Sequence, residues 1–141
     1  MAQRFGKEFK LKSKKKIEAL FKKGKRFHSP IITLVYLRVR AHDKELAYPQ
    51  ILVSVPKRNF KKAVDRNRIK RLIREAYRLE KKNVFKGSNF HCAFMITFIG
   101  KKEPVFHDVQ EKIKELLKLF IETQNLFSET LPIYLIENLG C

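Results

Sequence analysis

Arg66, Lys70 and Arg74 recur at four-residue intervals, with Asn67, Arg71 and Arg78 beside them. On a helix this spacing stacks cations along one side, where they could track the phosphates of a nucleic acid. Like charges so placed weaken an isolated helix by roughly a few tenths of a kcal/mol per pair, a cost that solvation alone does not require. The plainer alternative is a charged solvent face, and it must account for 13 Lys and Arg against 3 acids between residues 57 and 86. Other chemistries lack their residues. Two-metal phosphodiester hydrolysis needs carboxylates clustered around cations about 3.5–4 Å apart. Asp43 and Glu45 instead sit in a loop, Asp65, Glu75 and Glu80 are scattered through the basic segment, and no DxD or HExxH occurs. His28, His42, His91 and His107 fall in four separate elements, so surface or strand positions suit them better than an acid/base pair. His91 and Cys92 are adjacent in an expected strand and point to opposite faces, which favours a buried thiol over a zinc ligand. No GxxxxGK[ST] or GxGxxG loop is present. No catalytic residue is assigned, and a binding surface remains.

The elements that must hold this surface are legible in outline. From Ser13, Ile17, Leu20 and Phe21 repeat at helical spacing, with Ser13 placed to cap the start and Gly24 the end. Ile31–Val39 and Gln50–Val55 are β-branched runs, and the polar segment between them predicts a hairpin. Phe60–Lys82 predicts the strongest helix. Ile69, Leu72, Ile73, Ala76 and Leu79 share its apolar side, and Arg66, Asn67, Lys70, Arg71, Arg74, Arg78 and Lys81 its cationic side. Phe90–Ile99 predicts a buried third strand. Asp108 and Glu111 resemble a capping box ahead of a last amphipathic helix. Residues 131–136 (LPIYLI) read as an edge strand or a docked extension.

The chain has 141 residues and a formal net charge of +18, and its charge is segregated. Residues 1–30 carry a net +9 and residues 57–86 a net +10, so the remainder is close to neutral. Such a distribution points to a polyanion partner. Aromatic groups beside a cationic groove can stack the bases of single strands, and Phe21, Phe27 and Tyr36 could serve in that way or as core. The length fits one domain. Cys92 and Cys141 provide no disulfide framework, and Met1 is followed by polar and basic residues without an apolar run. A cytoplasmic protein with no membrane association is expected.

The run KKAVDRNRIKRLIREAYR at 61–78 closely resembles the Arg-Asn-Arg helix of the bacterial ribonuclease P protein family. Its hallmark falls on Arg66, Asn67 and Arg68, followed by Ile69, Lys70, Arg71, Leu72, Ile73 and Arg74. SVPKR at 54–58 is similar to the family's strand-end segment, and FKKG at 21–24 to the end of its first helix. The resemblance spans about residues 10–125 and implies a family domain over 1–127, with 128–141 as a C-terminal tail. The implied fold is a single-domain α/β (α+β) sandwich: a small mixed, mostly antiparallel sheet packed with helices in the order αββαβα. It has a left-handed βαβ crossover, as in a ribosomal protein domain. Composition and periodicity do not indicate that hand, since most such crossovers are right-handed.

The resemblance further implies a protein subunit of an endoribonuclease that removes the 5′ leader of precursor tRNA. Catalysis would rest with the RNA subunit and its Mg²⁺ ions. The implied partners are that catalytic RNA and the single-stranded leader, with no obligate protein partner. By the same resemblance Arg58, Arg66, Asn67, Arg68, Arg71 and Arg78 bind RNA, and Lys70 and Arg74 reach either the leader or the RNA core. Ile17, Phe21, Tyr36 and Lys57 are assigned to a leader cleft between the first helix and the sheet, with Val35 the one-residue alternative to Tyr36. Ile17 stands where some members have Phe, which leaves apolar contact in place of stacking. Two alternatives stay open: a basic RNA-binding protein of ribosomal type, and a metal nuclease acting without RNA.

Overall fold

The computed structural model describes residues 10–38, 49–85 and 92–130. Seven elements follow one another: α1 (Lys14–Lys23), β1 (Lys25–His28), β2 (Ile32–Arg38), β3 (Gln50–Ser54), α2 (Ala63–Phe85), β4 (Cys92–Phe98) and α3 (Phe106–Thr130). α1 starts where Ser13 Oγ accepts from the Lys16 amide at 3.4 Å. It ends at Gly24, whose amide donates to the Leu20 carbonyl at 3.1 Å. The value of glycine here is close approach: a Cβ would overlap Val35 Cγ1 and the Leu20 carbonyl oxygen.

The sheet order is β1-β2-β4-β3. β1 and β2 form the antiparallel hairpin, turned at Ser29–Ile32 with Pro30 in second place. The expected hairpin of β2 with β3 does not form, because β4 inserts between them, antiparallel to β2 and parallel to β3. Burial explains the order. β2 and β4 are buried on both faces and take the centre, whereas β3 alternates half-buried and buried positions as a sheet margin does. β1 is an element beyond those expected. KRFH is short and polar, with every second residue exposed, as suits an edge. The observed order is therefore αβββαβα in a four-stranded mixed sheet, and β3–α2–β4 is a crossover between parallel neighbours.

Helices cover both faces. Tyr36, Ile51, Phe94, Phe98, Ile73 and Phe120 belong to the larger core under α2 and α3. Leu20, Val35, Leu37, Ala93 and Met95 form the smaller core under α1. α3 begins at Phe106, so Asp108 lies within its first turn, where its charge suits the helix dipole, and is not the cap. The helix runs to Thr130, past the boundary expected at 127, while the 131–136 segment lies outside the described residues. Cys92 is buried, as its strand position predicts. Among the described residues no helix is long and apolar enough to cross a membrane.

Candidate nucleic-acid interface

α2 is held against the sheet by Ile69, Ile73, Ala76, Tyr77 and Phe85. The Tyr77 hydroxyl donates to the Pro49 carbonyl at 2.6 Å, which fixes the helix relative to the start of β3. Leu79, expected on the buried side, is 39% exposed, while Lys81 and Glu80 are buried. The packed sector is centred between Ile69 and Tyr77. At about 100° per residue it turns Leu79 out on one flank and brings Lys81 in on the other. Gln110 of α3 donates to the Glu80 carboxylate at 3.0 Å and satisfies its burial.

The expected cationic residues separate into three settings. Arg66 spans the entrance of α2, its Nη1 donating at 2.8 Å to the carbonyls of both Phe60 and Lys61. Arg68 and Arg78 are paired: Arg68 Nη1 lies 2.6 Å from Glu103 Oε1, and Arg78 Nε donates to Glu75 at 2.9 Å. Donating a hydrogen bond to its carboxylate raises each arginine's pKa, and Arg78 in turn lowers that of Glu75. Lys70, Arg71 and Arg74 have no carboxylate within ion-pair distance among the described residues. Arg74 is held below the usual guanidinium value, first by burial and then by repulsion from Arg71. Arg66, Lys70 and Arg74 are half-buried along the flank of α2, and Asn67 and Arg71 form its exposed crest. Lys57 and Arg58 are exposed in the turn joining β3 to α2, which closes through Asn59 and Phe60 amides donating to the Pro56 carbonyl.

On the opposite side of the sheet, Ile17 packs half-buried against the α1 core, and Phe21 projects outward, 67% exposed. Tyr36 departs from its expected place. It is buried on the α2/α3 side, stacked on Phe27 with ring centroids 5.6 Å apart and edge-on to Phe120 at 4.9 Å. Burial raises its phenol pKa, with a smaller push from Cys92 and partial offset from a hydrogen bond with Gln124. A ring so enclosed offers no face to a base, and Val35 is the residue of that pair facing α1.

Two features were not singled out from sequence. Val64 is 67% exposed and joins Asn67, Arg68 and Arg71 around a shallow depression of about 290 Å³. Its spacing from those residues, one helical face, was the available signal. Glu103 had none, because its partner lies 35 residues earlier. Among the described residues no three His, Cys, Asp or Glu side chains gather as a metal site.

A cationic crossover helix over a mixed sheet with helices on both faces defines a small α+β protein with a segregated cationic surface. Comparison with known proteins narrows the class: the sequence profile of the ribonuclease P family matches residues 5–124. The chain is 35% identical over 104 residues to the ribonuclease P protein component of Porphyromonas gingivalis, covering 72% of this chain and 74% of that one. It is 34% identical over 118 residues to that of Chlorobium phaeobacteroides, covering 76% and 81%. The fold matches the RNase P protein structures of Staphylococcus aureus (TM-score 0.62, 21% identity, 79% and 94% coverage) and Thermotoga maritima (0.61, 23%, 77% and 94%). The chain belongs to the ribonuclease P protein family, the protein subunits of the endoribonuclease of tRNA 5′ maturation.

Proposed function

We propose that this subunit binds its catalytic RNA through the crest and flank of α2 and steadies the single-stranded 5′ leader of precursor tRNA beside α1. The observation that carries the reading is the set of cations without carboxylate partners at Lys70, Arg71 and Arg74, joined by exposed Lys57 and Arg58, in a chain of this family. Bringing two RNAs together is opposed by phosphate repulsion, which these charges offset. Positioning the leader converts an encounter between loosely held partners into a step within one complex. Exposed Phe21 supplies a stacking face and Ile17 apolar contact. On this reading the Mg²⁺ ions are held mainly by the RNA subunit, where they would activate the attacking water and stabilise the leaving oxygen. The setting is the cytoplasm.

Multiple-turnover cleavage of precursor tRNA by the catalytic RNA, with and without this chain, tests the reading. The protein is expected to stimulate cleavage most at low Mg²⁺, where fewer counterions screen the RNAs. Absence of stimulation favours a plain RNA-binding protein. Cleavage by the chain alone after removal of RNA favours a protein-borne nuclease.

A further inference from the structure

The outward side of α2 carries two kinds of arginine. Arg71 has no carboxylate partner among the described residues, whereas Arg68 is engaged from outside its own helix. Its Nη1 donates to Glu103 Oε1 at 2.6 Å and lies 3.9 Å from Asp65 Oδ1. Glu103 belongs to the connection between β4 and α3, so the pair joins two separate parts of the chain. Both side chains remain open to solvent, 53% exposed for Arg68 and 43% for Glu103, and a phosphate can reach them. A guanidinium fork fits carboxylate and phosphate oxygens alike.

We infer that Glu103 is an intramolecular competitor for RNA phosphate at Arg68 and sets how much this arginine contributes to binding. Arg68 faces two carboxylates, Glu103 and Asp65, although it borders the same depression as Arg71. RNA that engages Arg68 must exchange a carboxylate for a phosphate, and RNA lying against Arg71 faces no such exchange. The inference rests on the RNA-binding role proposed for α2.

Salt titrations of the full chain binding a labelled single-stranded polyuridylate test both. One phosphate delivered to a free cation changes the log-affinity against log-salt slope by about 0.7 for single strands. Glu103→Gln is expected to tighten binding and steepen the slope by about that amount. Arg68→Ala is expected to change the wild-type slope less than Arg71→Ala does, and to cost the full ~0.7 in the Glu103→Gln background. Thermal unfolding should be near wild type for Glu103→Gln, since exposed pairs contribute little to stability. The competitor role is overturned, and the α2 reading kept, if Arg71→Ala flattens the slope while Glu103→Gln leaves binding unchanged or weaker. The same holds if Arg68→Ala costs as much in both backgrounds. If Arg71→Ala also has no effect, both readings fall.

Discussion

Arg66 and Arg71 differ in what their guanidinium groups already hold. Arg66 closes two carbonyls at the entrance of α2, so Arg66→Lys, which keeps the charge but loses the fork, should destabilise the fold by about 1 kcal/mol. Urea denaturation reads that loss, and an unchanged salt slope of RNA binding for Arg66→Ala, which removes the charge, would mark Arg66 as a strut. The Arg-Asn-Arg pattern itself was legible in sequence, but this division of labour was not, because each partner is a backbone carbonyl or a distant carboxylate. Tyr36 shows a second limit. β2 is apolar on both faces, so alternation does not reveal which residues look toward α1. Its buried phenol has a raised pKa, so the neutral form is preferred in the folded state. Its contribution is therefore complete below the ordinary value of 10.0 and is lost as pH rises through the raised folded value. Stability measured between pH 8 and pH 11 should fall at the alkaline end, and Tyr36→Phe should flatten that limb.

Among the elements, α1 depends on a missing side chain. Gly24→Ala places a methyl against Val35 and the Leu20 carbonyl, which should cost about 1–3 kcal/mol in chemical denaturation through strain at the α1–β2 junction. A stability equal to wild type would mean the junction yields freely. The helices were readable because each carries a 3.6-residue apolar repeat, and α1 also carries its cap. β1 was not, since Lys25–His28 has the composition of a loop and becomes a strand only by pairing with β2. The sheet order was equally hidden. Sequence proximity favours pairing β2 with β3, but two strands buried on both faces claim the centre together.

At the scale of the molecule, the sheet separates an α1 side from an α2/α3 side, and the strongest cationic face rides on the crossover between β3 and β4. Among the cations there, the five at Lys57, Arg58, Lys70, Arg71 and Arg74 are without carboxylate partners among the described residues. If all five meet phosphates of a helical RNA, the log-salt slope should be roughly 4 to 5 in magnitude, and Lys70→Ala or Arg74→Ala should each remove about one unit. Filter binding across a salt series measures this, and a slope near zero would remove phosphate contact from the account.

The place of β4 also bears on synthesis. Ribosomes deliver the chain from its N-terminus, so until Cys92–Phe98 leaves the exit tunnel β3 can pair with the Lys10–Leu11 segment at Ile51 but lacks the strand that joins it to the β1–β2 hairpin. The arginine-rich helix therefore emerges before the framework that seats it, and a nascent chain stalled at this stage would display its attraction for polyanions ahead of its shape.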